Sequence, residues 1–151
     1  RSTLLPYTPL FRSFQPRADD EWFATGDIVR RDAQGTLFLC DRKKEMIIRN
    51  GYNVYPSEVE AALASHPGVL HVAVIGVADE QVGQEVAAYV SPREGHVLSA
   101  EDLAAWCRAR IALYKYPRLI AILPALPTNT TGKIMKRALD TAILRRVSLI
   151  G

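Results

Sequence analysis

Residues 69–90, VLHVAVIGVADEQVGQEVAAYV, decide the fold class. Val69–Val77 is almost continuously apolar and reads as a central strand, and Glu85–Val90 reads as a second strand. Only the polar loop Asp79–Gly83 stands between them. Two successive strands without a helical crossover imply at least partly antiparallel pairing, so the class is α+β.

Upstream, Ser57 with Glu60 three residues on forms a capping box. Val59, Ala62 and Leu63 then supply the apolar stripe of a helix ending near His66-Pro67-Gly68. Met46-Ile47-Ile48 is a short buried strand, and Asn50-Gly51 is a strong turn signal. Asp41–Glu45 is a charged interruption. Before it, Asp27–Arg31 and Thr36–Cys40 make a hairpin around Asp32-Ala33-Gln34-Gly35. Downstream, Ser99 with Asp102 caps a helix whose Leu103, Trp106, Cys107, Arg110 and Ile111 share one face. Leu119–Leu123 is a strand between prolines. The loop Pro127–Gly132 leads into a last helix with Met135, Leu139 and Ile143 on one face. The expected architecture is a partly antiparallel sheet flanked by about three helices.

The chain's 151 residues suit one domain, or one domain plus part of a neighbour. With 48% hydrophobic and 23% charged residues it has a globular composition, and no apolar run reaches the roughly 18 residues of a membrane helix. A net charge of +3 is too small to argue for nucleic acid by itself. Cys40 and Cys107 make neither a disulfide framework nor a metal quartet, which fits a reducing cytoplasm. Residues 1–18 hold three of the nine prolines and no period of 2 or 3.6, and read as a leader that is not native sequence.

Several short motifs carry chemistry only in company. Thr128-Asn129-Thr130-Thr131-Gly132-Lys133 is a hydroxyl-rich loop whose lysine could hold an anionic oxygen at a helix start. It is no P-loop, because Pro127 and Ile134 stand where that motif needs Gly and Ser/Thr. Alone, it reads as a capped helix with a solvated lysine. Thr25-Gly26-Asp27 sets a carboxylate after a turn, where it could accept from two sugar hydroxyls, although alone it is a plain turn. Asp41-Arg42-Lys43-Lys44-Glu45 alone is solvated surface. His66, His71 and His96 show no metal-ligand spacing, and Cys107 reads as core.

Their order is what carries meaning. Trp22–Asp27, then Asp41–Ile48, then Asn50–Glu60, then Leu126-Pro127 through Gly132-Lys133 together resemble the acyl-adenylate-forming enzymes: acyl-CoA synthetases, luciferases and nonribosomal-peptide adenylation domains. The resemblance covers roughly Glu21 to Ala142. Lys115-Tyr116-Pro117-Arg118 and the Asp-Arg-Lys-Lys run look more like fatty-acid or aromatic-acid CoA ligases.

The resemblance implies a large N-terminal domain holding the acid pocket and phosphate loop, and a small C-terminal lid. Residues 19–43 would be the end of the large domain and 44–151 the lid. The implied reaction joins a carboxylic acid to ATP as acyl-AMP, then passes the acyl group to the thiol of CoA. ATP, CoA and Mg2+ are the implied cofactors, with Mg2+ held mainly by the missing large domain. By the same resemblance Asp27 grips the ribose hydroxyls, and Arg42 lies near ribose and phosphate. Lys44 is the hinge, Gly51 borders the pantetheine tunnel, and Lys133 bridges the α-phosphate and acyl carboxylate. Asp41 departs from the Gly of many relatives, and Ala24 from Arg or Lys. The runner-up partner is a carrier-protein phosphopantetheine. The rival of another class is a nucleic-acid module built on a basic C-terminal helix carrying Lys133, Lys136, Arg137, Arg145 and Arg146.

Overall fold

A computed structural model of the chain describes residues 25–146, so the leader, Trp22–Ala24 and the far C-terminus lie outside the described residues. Strands β1 (Asp27–Arg31) and β2 (Leu37–Arg42) form a separate antiparallel hairpin, with Asp32 Oδ1 accepting from the Gln34 and Thr36 amides in its turn. A single 3-10 turn, Lys43–Glu45, joins it to the main body. Strands β3 (Ile47–Arg49) and β4 (Tyr52–Val54) follow, linked by Asn50 and Gly51 at φ 50° and 78°. Two positive φ values in a two-residue loop match the right-handed strand twist, which is why Asn-Gly occurs there. The turn signal thus held, but β4 was not expected from the sequence, since three residues are too few to show a period.

Helix α1 (Pro56–Ala64) packs Val59 and Leu63 against the sheet. Long strands β5 (Val69–Asp79) and β6 (Gly83–Pro92) pair antiparallel along their lengths, as the sequence predicts. Helix α2 (Ala100–Arg108) crosses over, and β7 (Leu119–Ile122) returns parallel to β6. The sheet is therefore mixed, within an α+β architecture.

Alternation along β6 divides the core. Val86, Ala88 and Val90 pack with α1 and α2 on one face. Ala87 and Tyr89 face the other side, where the C-terminal segment supplies Leu126, Leu139 and Leu144. Both faces of β6 are covered, which accounts for its run of buried residues from Glu85 to Ser91.

Several expectations require correction. The central strand is β6, not β5: β6 pairs with β3, β5 and β7, while β5 pairs only with β6 among the described residues. A nearly continuous apolar run fixes neither sheet order nor burial: in β5 only Val69, Ala73 and Val74 are buried. The Ser57–Glu60 capping box does not form. Pro56 occupies the first turn behind Tyr55, Ser57 Oγ donates to the Cys40 carbonyl, and Glu60 turns to Val74 and Lys136. The Ser99 cap does form, its Oγ accepting from the Asp102 amide at 3.1 Å. Helix α2 ends at Arg108, leaving Arg110 and Ile111 beyond it. The last helix is absent: Lys136–Ala138 and Thr141–Arg146 are 3-10 turns, and Met135 is exposed while Leu139 is buried. Burying Leu126, Leu139 and Leu144 on one sheet face favours a wrapping segment over one amphipathic rod.

Candidate functional site

The hairpin ends by placing a carboxylate opposite a guanidinium. Asp27 opens β1, Arg42 closes β2, and the two are register partners. Arg42 Nε lies 3.6 Å from Asp27 Oδ1, and the Lys43 amide donates to the Gly26 carbonyl at 2.8 Å. Exposed pairs of this kind are worth only about 0–1 kcal/mol. Both groups can therefore turn to a ligand at little cost, the carboxylate to hydroxyls and the guanidinium to phosphate. Thr25, Gly26, Arg42, Lys43 and Lys44 line an open depression of about 470 Å3. Lys44 also borders a second depression, of about 390 Å3, with Glu45, Gly76, Lys136 and Arg137.

Lys44 sits on the 3-10 turn between hairpin and main body. Two hydrogen bonds cross that junction. Asp41 Oδ2 accepts from the Ser57 amide at 3.0 Å, and Ser57 Oγ donates to the Cys40 carbonyl at 2.8 Å. Asp41 Oδ1 also accepts from the Arg42 amide. Gly51 is exposed at the β3–β4 turn, where an added Cβ would meet nothing within 4 Å.

Lys133 ends a closed loop rather than starting a helix. Asn129 Oδ1 accepts from the Thr131 amide, the Thr131 hydroxyl and the Lys133 amide. The Asn129 amide donates to the Lys133 carbonyl, Gly132 takes φ 81°, and Thr128 bridges to Ile134. The backbone is pinned, yet the Lys133 side chain is exposed and has no ion-pair partner among the described residues. Lys136 is the opposite case. Its Nζ lies 2.8 Å from Glu60 Oε1 and 3.2 Å from Glu45 Oε2. Burial opposes its charge, but the two carboxylates outweigh that and raise its pKa.

The structure thus sets Arg42 and Lys44 on one depression, with Asp27 paired to Arg42 beside it, and places Gly51 and Lys133 on two other loops. It also adds Asp41, Ser57, Glu45, Glu60 and Lys136, to which the sequence reading gave other roles or none. By spacing alone Ser57 and Glu60 read as a capping box, and Lys136 as part of a basic helix. That helix does not form, and the Lys136 ammonium is paired with two carboxylates. No group of three or more His, Cys, Asp or Glu side chains among the described residues could hold a metal ion. Cys107 is core, its thiol pushed up to about 11 by burial.

Residues 58–133 match the family model described as AMP-binding enzyme C-terminal domain. The chain is 45% identical over 120 residues to a 3-[(3aS,4S,7aS)-7a-methyl-1,5-dioxo-octahydro-1H-inden-4-yl]propanoyl:CoA ligase of Rhodococcus jostii, covering 80% of this chain and 23% of that protein. It is 38% identical over 125 residues to the mouse mitochondrial medium-chain acyl-CoA ligase ACSF2, covering 83% of this chain and 20% of that protein. Among solved structures, o-succinylbenzoate CoA synthetase from Bacillus subtilis, in complex with its acyl-adenylate intermediate, superposes with TM-score 0.73 at 36% identity. That match covers 83% of this chain and 25% of the other. The chain spans about a fifth to a quarter of the length of these relatives.

Proposed function

The chain belongs to the AMP-binding enzyme C-terminal domain family, and on that premise we propose that it is the lid, with the last hairpin of the preceding domain, of an AMP-forming acyl-CoA synthetase. In this reading residues 19–43 close the large domain and 44–151 rotate over it. The hairpin's exposed Val29, Leu37 and Leu39 support that division, since a lone hairpin buries too little to stand by itself.

The reaction solves a leaving-group problem. A carboxylate oxygen attacks the α-phosphorus of MgATP and pyrophosphate departs, leaving a mixed anhydride. The CoA thiol then attacks the acyl carbon, AMP leaves with the bonding electrons, and the thiol proton passes to solvent. Both steps move negative charge about one phosphoryl centre, where positioned cations count most. Lys133 would stabilise that charge in the first step, Asp27 would hold the ribose hydroxyls, and Arg42 would sit beside the phosphate. Lys44 would be the pivot. Gly51, with no side chain, would leave room for the pantetheine arm. Free CoA, rather than a carrier protein, is supported by the ligases to which the chain is similar. Two free cysteines support a cytoplasmic compartment, and no described helix is long and apolar enough to cross a membrane. The mouse relative is mitochondrial by name, so cell fractionation decides the compartment.

The observation that carries this reading is Lys133: a backbone held by Asn129 with a side chain left free to meet an anion. Its test is Lys133→Ala in the full-length enzyme. ATP–pyrophosphate exchange should fall about 10²–10³-fold, the usual cost of losing a preorganised donor. Conversion of supplied acyl-AMP to thioester should persist. Unchanged exchange would overturn the assignment.

A further inference from the structure

Lys136 lies three residues beyond Lys133 and is engaged where Lys133 is free. Its ammonium joins two carboxylates from distant parts of the chain: Glu45, on the turn immediately after Lys44, and Glu60, on α1. Glu60 Oε1 also accepts from the Val74 amide at 2.8 Å, so the same oxygen is anchored to β5. Between Lys133 and Lys136 the chain has little slack. The Met135 amide donates to the Pro127 carbonyl at 2.8 Å, closing the base of the lysine loop. A force on the Glu45 turn is therefore passed through one ammonium and three peptide units to Lys133.

We propose that Lys136 is a positioning residue for adenylation: by bridging Glu45 and Glu60 it locks the Lys133 loop to the hinge turn, so both move as one rigid piece. This rests on the functional reading above, and gives a reason for desolvating an ammonium in a loop whose neighbouring cation is left in water. Rotation about a single hinge delivers a group accurately only if the intervening structure does not flex, and an error of about 1 Å at a reacting centre costs on the order of 10²-fold.

The test measures both half-reactions in the full-length enzyme. Lys136→Met should lower kcat for ATP–pyrophosphate exchange about 10–100-fold with little change in KM for ATP. Thioester formation from supplied acyl-AMP should be unaffected. Lys136→Arg, which can still reach both carboxylates, should restore most of the loss. Glu45→Gln keeps the Glu60 pair, so it tests the link without risking the fold, and should give the same selective loss at smaller size. In a Lys133→Ala background, Lys136→Met should cost nothing further. If Lys133→Ala abolishes exchange while Lys136→Met and Glu45→Gln leave it intact, the positioning role is wrong and the functional reading stands. Equal loss in both half-reactions would overturn the inference in favour of general stability. Exchange that survives Lys133→Ala would overturn the functional reading, and this inference with it.

Discussion

The Asp41 carboxylate accepts the Ser57 amide at 3.0 Å, fastening the end of the hairpin to the start of α1 across the turn that carries Lys44. A carboxylate at a helix N-terminus also meets the positive end of the helix dipole. Sixteen residues separate the two partners, and the Ser57 hydroxyl adds a second bond, to Cys40. If Lys44 is the pivot proposed above, rotation about it would break this fastening, which would then hold one of two orientations of the lid.

Asp41→Ala should lower the unfolding free energy of this chain by about 1–2 kcal/mol, as for the loss of a helix-capping acceptor. Asp41→Asn should lose less, since its amide oxygen can still accept. Urea denaturation measures the first effect. Hydrogen exchange at residues 37–42 should rise in Asp41→Ala, and unchanged protection there would show that the bond does not restrain the hairpin.

Arg49 and Glu85 form a buried pair at 2.7 Å between β3 and β6, each side chain only 5% exposed. Breaking a buried pair by removing one partner typically costs about 3–5 kcal/mol. Arg49→Met alone should therefore be severely destabilising. Arg49→Met with Glu85→Gln should recover most of that, because Gln keeps an acceptor for the Val86 amide that Glu85 now serves. Thermal melts of the single and double variants decide it, and equal losses would contradict the charge argument.

At Gly51 the backbone sits at φ 78° with open space around it, so a side chain there brings backbone strain but no clash. Gly51→Leu should cost about 1–2 kcal/mol in stability. In the full-length enzyme it should slow thioester formation and spare pyrophosphate exchange. Gly51→Asn tolerates this φ better and separates strain from obstruction. Exchange lost in step with thioester formation would argue against a thiol-tunnel role.

Lys44→Pro should spare one half-reaction and stall the other, because proline fixes φ at the turn. Acyl-AMP that accumulates without thioester would identify the trapped pose as the adenylating one. Equal damage to both steps would place the pivot elsewhere.

Alkaline conditions should weaken the fold. Glu58, by its hydrogen bond, raises the pKa of Lys115; Glu60 and Glu45 outweigh burial to raise that of Lys136. A group whose folded pKa lies above its unfolded value contributes stability that is complete below the unfolded value, here 10.5, and fades as pH rises through the folded one. Melting temperature should thus fall above about pH 10. The Lys115→Met, Lys136→Met double variant should show a shallower decline, and an identical slope would refute the linkage.

Local chemistry was legible because neighbours along the chain enforce it. Asn50-Gly51 announces its turn through the φ values that only such residues adopt readily. Ser99 announces its cap, and the paired runs around Asp79–Gly83 announce β5 and β6. The ordered motifs likewise pointed to the family. Ser57 and Glu60 show where such reading fails. Their spacing satisfies a capping box, but a carbonyl 17 residues upstream and an ammonium at position 136 compete for the same atoms and win.

The sequence by itself determined the α+β class, the turns, one helix cap and the order of motifs that names the family, because each depends on side chains a few residues apart. Tertiary structure alone decided that β6 is central, that the C-terminal segment wraps the sheet as 3-10 turns, and that Lys136 meets Glu45 from 91 residues away. Those outcomes follow from which polar groups find partners once the core is buried, and spacing along the chain does not encode that competition.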